Sequence, residues 1–361
     1  MREKIYIFGA HSRAQTLAVY LRALNPEIEI VAYLYDNEER NPLQIEGVTV
    51  ERIRSHLRLH KEYPIYLGIR GLYHERVIDK LRALGFKDIR PVTVEMDLQL
   101  RNQYLKQYFF SIKQRFIKME DLQAGIETSD SKASATIYVA KSIFDRALQK
   151  EYRLSLYEKE IQVGAALTEQ RLYQGILTDD VGDNISERNR QYCELTALYW
   201  IWKHAKEDVV GLAHYRRHFV LAEDWVERMQ EHEVDVILPT PLYVAPSIEG
   251  NYKHRHDFAD WEYMMEYLKE TQENIYQEAQ EFFAGNLYSP CNMFIMRREI
   301  LDEFCAWLFP ILEAVVIHGG QKKDAYWNRY PGFISERLLT FYFVRKSADY
   351  KVVYADKNFL V

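Results

Sequence analysis

Four polar side chains follow a short apolar run in the middle of the chain. The run 209–213, Val-Val-Gly-Leu-Ala, predicts a buried strand, and His214, Tyr215, Arg216 and Arg217 stand directly after it. Ligands of open α/β sheets bind beyond the carboxyl ends of the strands. Two adjacent guanidinium groups at such an end suit an anionic ligand such as a diphosphate, which all four side chains are predicted to bind. A charged strand end in solvent would give the same pattern.

An acidic loop, 179–184 (Asp-Asp-Val-Gly-Asp-Asn), precedes this strand and the aromatic-rich helix predicted before it. Three of its side chains are predicted to contact the same ligand: Asp180, Asp183 and Asn184. An alternative is a divalent site, Mn²⁺ or Mg²⁺, formed by Asp179, Asp183 and His214. We favour direct neutralisation of the ligand by the two arginines, because arginine does not ligate metals, so no cofactor is firmly predicted.

Composition limits the class of protein. At 361 residues the chain has room for two domains. The net charge of −6 and the pI of about 6.0 argue against nucleic acid as a partner. The three cysteines have no spacing typical of disulfides or metal sites, and the N-terminus, MREKIYIFGA, predicts a strand rather than a signal peptide. These features predict a cytoplasmic protein.

The first hundred residues predict a Rossmann-like unit. Strand, glycine turn, helix and a strand ending in an acid follow one another from residue 4 to Asp36. The turn Gly9-Ala10-His11-Ser12-Arg13-Ala14 departs from the GxGxxG pattern. Four residues are candidates for a nucleotide site: Gly9, Ser12, Arg13 and Asp36. A strand–helix turn without a nucleotide is an equally open interpretation. The segment resembles the small Rossmann-like domains of polysaccharide-gene proteins.

The predicted domain organisation has three parts. Residues 1–102 form the Rossmann-like domain, 103–135 an amphipathic helix and linker, and 136–361 a second domain. The helix, predicted over 103–119, is basic and aromatic at helical spacing. We expect a linker helix packed between the two domains. Peripheral contact with the inner face of the cell membrane is the alternative, and a homo-oligomer is left open.

The second domain resembles a family of bacterial capsular and exopolysaccharide glycosyltransferases first described as a domain of unknown function. Seven segments carry the resemblance in order: IYVAKSIF, IQVGAA, DDVGDNIS with ELTALYWIWK, GLAHYRRHF, DVILPTP, NMFIM and GFISERL. The resemblance implies an α/β, GT-A-like fold. It also implies hexosyl transfer from a nucleotide-sugar donor to a capsule, exopolysaccharide or O-antigen repeat unit, held on a lipid or an oligosaccharide. Some relatives are linked to galactofuranose.

The chain departs from the usual GT-A pattern at one point. Such enzymes usually carry Asp-x-Asp at the end of a mid-domain strand, where 213–217 here reads Ala-His-Tyr-Arg-Arg. Arg216 and Arg217 are therefore predicted to stabilise the leaving diphosphate. An inverting transfer also needs a base, for which Asp257 and Glu336 are the candidates. Asn292 is predicted to hydrogen-bond the donor, with turn formation as its structural alternative.

Two other functions stay open. A nucleotide-sugar-modifying oxidoreductase would use the first domain, although its glycine turn is degenerate and it has no Tyr-x-x-x-Lys pair. A non-catalytic assembly protein of the polysaccharide machinery would bind a nucleotide sugar without transferring it.

Overall fold

The chain forms two compact units, Met1–Phe116 and Ile117–Val361. The computed structural model describes residues 2–37, 40–53, 59–123 and 133–360. The polar linker predicted within 120–135 falls mostly on 124–132, which lie outside the described residues.

The first unit is a six-stranded sheet with strand order β3-β4-β2-β1-β5-β6. All of its pairings are parallel except β3 with β4. Its elements are β1 Glu3–Phe8, α1 Ser12–Leu24, β2 Ile28–Tyr35, β3 Gln44–Ile45, β4 Val48–Arg52, β5 Ile65–Leu67, α2 His74–Ala83, β6 Ile89–Pro91 and α3 Val94–Ser111. The strand order reverses at β1, which has β2 on one side and β5 on the other. The predicted Rossmann-like unit is confirmed.

Helix α1 forms because its apolar residues recur at helical spacing. Ala14, Leu17, Ala18 and Leu21 all lie on one buried stripe. Each leucine contributes about 2 kcal/mol to folding by leaving water. The stripe fixes the start of α1 beside the carboxyl ends of β1 and β5.

The predicted helix over 103–119 is wrong in its bounds. Helix α3 ends at Ser111, because Lys113 takes a left-handed φ of 59° that an α-helix cannot continue. Within the first unit, Tyr104 packs on Tyr20 of α1 with ring centroids 5.0 Å apart, and Leu105 and Phe109 are buried. The helix is thus part of the first unit's packing.

The start predicted for the second domain, residue 136, is also too late. Ile117 accepts a hydrogen bond from the Tyr354 amide at 2.9 Å, and Lys118 forms a bridge with the same residue. Lys118 is buried, with its ammonium 2.7 Å from the Asp356 carboxylate. Residues 117–122 therefore belong to the second unit's sheet edge.

The second unit is built on a seven-stranded sheet with strand order β15-β11-β14-β10-β7-β8-β9. Its elements are β7 Ala135–Lys141, β8 Glu158–Gln162, β9 Leu177–Thr178, α4 Asn189–Tyr192, α5 Leu195–His204, β10 Val209–His214, α6 Trp225–Glu231, β11 Val236–Pro239, β12 Leu242–Tyr243, α7 Ile248–Arg255, α8 Phe258–Thr271, α9 Glu273–Phe283, β13 Leu287–Tyr288, β14 Phe294–Arg297, α10 Arg298–Gly319, α11 Tyr330–Arg345 and β15 Val352–Ala355.

Strand β14 is antiparallel to both neighbours, β10 and β11, while the other pairings are parallel. All strands except β14 therefore end at the same edge of the sheet, which we call the carboxyl edge. Strand β10 is a continuous apolar run because both of its faces are covered, as parallel sheets require. Its first polar residue, His214, is where the chain leaves the core.

None of the helices in the described ranges is both long enough and apolar enough to cross a membrane.

Candidate functional site

The segment after β10 is a tight turn. The amide of His214 donates to the Arg217 carbonyl at 3.0 Å, and the Arg217 amide donates back to His214 at 2.9 Å. Tyr215 and Arg216 therefore stand at the tip of the turn, and the Tyr215 amide still pairs with Ala140 of β7 at 3.0 Å. The turn places two guanidinium groups at the carboxyl edge, as the sequence predicts.

A later segment, residues 356–360, covers this turn, and we call it the strap. The amide of Leu360 donates to the Arg216 carbonyl at 2.8 Å, and that of Asn358 donates to His218 at 3.0 Å. The Arg217 guanidinium lies over the Phe359 ring, 5.2 Å from its centroid. The strap thus restricts the directions in which the arginine can point.

His214 is a half-buried side chain whose surroundings favour the neutral ring. Its Nε2 lies 2.5 Å from the Cys291 carbonyl, which can only accept, so Nε2 carries the proton. Burial lowers the pKa of His214, Glu194 opposes that shift, and Arg217 adds to it. The ring therefore fixes the segment before β14 against the turn after β10.

A carboxylate cluster lies beside the turn. Glu194 Oε1 accepts a hydrogen bond from Asn292 Nδ2 at 2.8 Å, and the same amide nitrogen donates to the Gly332 carbonyl at 3.0 Å. Burial raises the pKa of Glu336; Arg337 opposes this, Glu194 adds to it, and Arg217 lowers it. These electrostatic couplings place Glu336 within reach of the cationic turn and of Glu194.

Three residues around this cluster have a left-handed backbone without being glycine. The φ angles are 51° at Cys193, 81° at Cys291 and 49° at Asn292. Such conformations cost free energy and concentrate at functional sites. Cys193 separates α4 from α5 and so turns Glu194 towards Asn292. The sequence predicts one continuous helix here, which is wrong.

Two buried polar atoms of the cluster have no protein partner in the described parts of the chain. They are Arg216 Nε and Asn292 Oδ1. One is a donor and the other an acceptor, and each would gain a partner from a bound ligand. An anionic group suits the first and a hydroxyl suits the second.

A cavity of about 480 Å³ opens at the ends of β7 and β8, next to Tyr215. Three cations (Lys141, Arg146 and Lys150) and three acids (Asp145, Glu151 and Glu160) line it, and Lys141 pairs with Glu160 at 2.8 Å. Burial raises the pKa of Asp145, while the Ser142 amide and Arg216 oppose the shift. The cavity therefore adjoins the basic turn through Tyr215, and its size suits a small ligand.

Asp179 does not form a metal site, contrary to the alternative prediction. It is fully buried and accepts from the Gly164 amide (2.9 Å), the Ala165 amide (3.0 Å), the Ser186 hydroxyl (2.5 Å) and the Thr196 hydroxyl (2.6 Å). Both carboxylate oxygens are occupied. The hydroxyl of Ser186 is thus committed to this carboxylate.

The other polar residues of the acidic loop contact nearby segments and the loop's own backbone. Asp180 pairs with Arg171 at 3.2 Å, Asp183 accepts from Tyr199 at 3.1 Å, and Asn184 donates to the carbonyls of Asp180 and Gly182. These contacts join the loop to α5 and do not reach the turn. The structure therefore does not assemble Asp179, Asp183 and His214 around an ion. Nowhere among the described residues do three or more His, Cys, Asp or Glu form a group that could hold one.

The two base candidates differ in environment. Asp257 caps α8 by accepting from the Ala259 amide at 3.2 Å and lies 2.7 Å from the Lys322 ammonium. Its hydrogen bond with Lys322 lowers its pKa, which weakens it as a base. Glu336 lies in the second turn of α11, which begins at Tyr330, and thus beyond the first turn where a carboxylate complements the helix dipole.

Sequence reasoning missed four residues of the cluster: Asp145, Glu194, Cys291 and Arg329. Arg329 Nε donates to Cys193 Sγ at 3.1 Å. Only Glu194 gave a signal, as a carboxylate opening the apolar ELTALYWIWK segment. Cys291 depends on a positive φ angle, and Asp145 and Arg329 come from segments distant in the chain, neither of which a sequence shows.

The four residues predicted for a nucleotide site in the first unit do share a cavity. Gly9, Ser12, Arg13 and Asp36 line a space of about 990 Å³. Asp36 is paired with Lys80 at 2.9 Å.

The strand order of the second unit, with one antiparallel strand beside a central parallel strand and a site at the carboxyl edge, defines a GT-A-like α/β fold. Residues 147–347 match the family described as a domain of unknown function (DUF4422), and the chain belongs to that family. Among solved structures, the chain is similar to the WbbM bifunctional glycosyltransferase in its apo form, with 26% identity and a TM-score of 0.54. The match covers 63% of this chain and 45% of that one.

A second solved structure, core-mannan synthase A from Aspergillus fumigatus in a Mn/GDP form, matches at 10% identity and a TM-score of 0.25. The alignment covers 99% of this chain and 74% of that one. No curated protein matches the sequence.

Proposed function

We propose that the chain is a glycosyltransferase that moves a hexose from a nucleotide-sugar donor to a hydroxyl of a polysaccharide repeat unit. The similarity to WbbM, a bifunctional glycosyltransferase, and the GT-A-like fold support the reaction class. The acceptor is a capsule, exopolysaccharide or O-antigen unit on a lipid or an oligosaccharide. Galactofuranose is the first sugar to test. We assign the reaction to the cytoplasmic side of the membrane.

One observation carries the proposal: the basic turn between the 480 Å³ cavity and the strap, with the buried Arg216 Nε lacking a partner. A nucleotide would occupy the cavity, with its diphosphate against Arg216 and Arg217. Charge builds on the leaving diphosphate in the transition state, so preorganised cations stabilise that state more than the ground state.

Glu336 is the proposed base. Burial raises its pKa, which makes its carboxylate a better proton acceptor than an exposed glutamate. The side-chain oxygen of Asn292, Oδ1, would accept a hydrogen bond from a sugar hydroxyl. Asp257, already committed to Lys322 and to α8, is the weaker candidate.

A GT-A-like fold raises the question of a divalent ion on the diphosphate. The residues at this edge do not fit one, because arginines stand in place of the acidic pair and Asp179 is saturated by hydrogen bonds. We therefore expect turnover to survive chelation by EDTA. Loss of turnover with EDTA and its recovery with Mn²⁺ or Mg²⁺ would contradict the direct role of the arginines.

The test begins with a panel of UDP-, GDP- and dTDP-sugars, UDP-galactofuranose included, screened for thermal stabilisation and for donor hydrolysis. Arg216→Ala and Arg217→Ala are each expected to lower turnover of the active donor about a hundredfold or more, as losing one preorganised donor group does. Arg217→Lys should recover only part, because an ammonium lacks the bidentate fork.

The matched control is Arg297→Ala. Arg297 ends the antiparallel strand β14, so it lies at the opposite edge of the same sheet, paired with Asp235 at 3.2 Å. Its variant should keep wild-type turnover. Near-wild-type turnover in folded Arg216→Ala and Arg217→Ala variants would show that the turn is structural. Binding of a donor with neither hydrolysis nor transfer would favour the non-catalytic alternative.

A further inference from the structure

The first unit contains a cavity that glycosyl transfer in the second unit does not use. It has a volume of about 990 Å³ and lies between the loops that follow β1, β2 and β5. Strand order reverses at β1, and ligands of open parallel sheets bind at such a reversal, beyond the carboxyl ends of the strands. The cavity is large enough for a nucleotide-sized molecule.

The lining of this cavity is basic. Arg13, Arg70 and Arg76 come from three separate segments, the start of α1, the loop after β5 and helix α2. In the described parts of the chain, Arg13 and Arg70 form no ion pair, and Arg76 lies 5.9 Å from the Tyr73 ring centroid. The cavity's acid, Asp36, is neutralised by Lys80. Among the described lining residues, three guanidinium groups thus share one space with a single carboxylate, which is already paired with Lys80.

Backbone donors add to this charge. The first intrahelical hydrogen bond of α1 is donated by the Gln15 amide, no side chain caps the helix, and its first turn has no acid. The amides of Ser12, Arg13 and Ala14 are thus oriented towards the cavity end of the helix. An anionic group there would meet backbone donors and Arg13 together.

The glycines show how the helix reaches this position. A Cβ atom on Gly68 would lie 2.8 Å from Ala14 Cα, and one on Gly9, whose φ is +118°, would lie 3.0 Å from the Gly68 carbonyl oxygen. Both glycines are needed for α1 to pack against β1 and β5. The third position of the turn is His11 rather than glycine, so a bridging pyrophosphate cannot lie flat against the backbone as it does in dinucleotide sites.

We propose that the first unit binds a nucleoside diphosphate, free or as the head of a larger molecule. Its terminal phosphate would contact the start of α1 and Arg13, and Arg70 would neutralise the second phosphate. The nucleoside would lie towards Tyr73 and Arg76, where an aromatic ring and a guanidinium offer stacking surfaces. This site is separate from the donor site of the second unit.

Calorimetry on the full chain tests the proposal with UDP, ADP, GDP and inorganic pyrophosphate as probes. The background is the Arg216→Ala/Arg217→Ala variant, in which the proposed donor site is disabled. At least one nucleoside diphosphate should still bind there with one site per chain. Adding Arg13→Gln and Arg70→Gln should weaken that binding tenfold or more per arginine. Adding Arg82→Gln should not, because Arg82 lies on α2 but does not line the cavity.

The outcomes separate this proposal from that of the second unit. Retained binding in the Arg216→Ala/Arg217→Ala background supports the first-unit site, whatever happens to turnover. No binding of any nucleoside diphosphate there overturns it. Equal affinity for pyrophosphate overturns the nucleoside part, and unchanged binding in the Arg13→Gln/Arg70→Gln variant places the ligand elsewhere. Arg13, Arg70 and Arg82 are exposed, whereas Arg216 and Arg217 are half-buried, so circular dichroism must show a native fold in the background variant before binding is compared.

Discussion

At the scale of single residues, Glu336 links stability to function. Burial raises its pKa, so the folded state favours the protonated form. The protonated form of Glu336 therefore stabilises the fold at pH values below its unfolded-state pKa. This stabilisation is lost as the pH rises through its folded-state pKa. At neutral and alkaline pH the carboxylate is therefore a cost to stability, partly offset by Arg337 and Arg217.

The Glu336→Gln variant should separate the effect of the carboxylate on stability from its proposed role as the base. We expect turnover to fall about a hundredfold or more, as for loss of a general base. The free energy of unfolding should rise relative to the wild type at pH 8, but not at pH 4. Urea titrations at both pH values measure this. Wild-type turnover itself should decline as pH falls through the raised pKa of Glu336.

A purely structural Glu336 would give another result. The glutamine variant would then lose stability and turnover together, and the pH profile of turnover would keep its shape. Asp257→Asn serves as the comparison, since it removes a carboxylate that is bound to Lys322.

The cysteines are predicted to be unreactive in the native protein. Burial raises the pKa of Cys193 to about 12, that of Cys291 to about 11, and that of Cys305 well above its ordinary value. Thiolates, not thiols, react with alkylating agents. Mass spectrometry should find almost no alkylation by iodoacetamide at pH 7.5 in minutes, and three modified thiols once urea is added. Rapid modification of one native cysteine would contradict this.

At the scale of elements, Asp179 holds three segments together. Its four hydrogen bonds join the turn after β8, the segment before α4 and the first turn of α5. Asp179→Asn keeps the shape but turns one acceptor into a donor that faces donors. The free energy of unfolding should fall by about 3 kcal/mol or more, because buried polar groups lose their partners.

The matched control for this variant is Asp180→Asn. Asp180 is the next residue along, and its ion pair with Arg171 is partly exposed, so the loss should stay below about 1 kcal/mol. If urea titrations gave the two variants the same loss in free energy of unfolding, the idea that Asp179 holds three segments together would be wrong.

Local sequence patterns predicted the elements well where apolar residues recur regularly. Strand β10, helix α9 and the Rossmann-like opening of the chain lie close to where the spacing puts them. The break at Cys193 was missed, because the same apolar spacing continues through it from Tyr192 to Trp202. Tertiary packing overrides helix propensity there. For the same reason, the turn with its arginines was predictable, but its neighbours Glu194 and Arg329 were not.

At the scale of the whole molecule, the second unit should fold alone only if residues 117–122 are kept. Met119 is buried in its core, and Lys118 makes a buried ion pair with Asp356. We expect a fragment of residues 117–361 to unfold cooperatively. A fragment of residues 133–361 should be less stable by about 5 kcal/mol, the sum of about 2 kcal/mol for a buried methionine and about 3 kcal/mol for a broken buried pair.

Both fragments are compared by urea denaturation and by donor-induced thermal shift. Donor binding should be retained in the longer fragment, since the basic turn, the cavity and the strap all lie within it. If the two fragments were equally stable, the second unit would begin near residue 136, as predicted from the sequence, and not at Ile117.

The strap has a consequence for the order in which the protein matures. Asn358 meets His218 across 140 positions of the chain, and it is synthesised long after the turn that it covers. Until the strap arrives, the backbone carbonyls of Arg216 and His218 have only water to bind. A nascent chain released before residue 356 would therefore carry a complete central sheet and a basic turn that the strap does not yet hold in place. Donor turnover, rather than nucleotide binding in the first unit, would then report that synthesis has reached the strap.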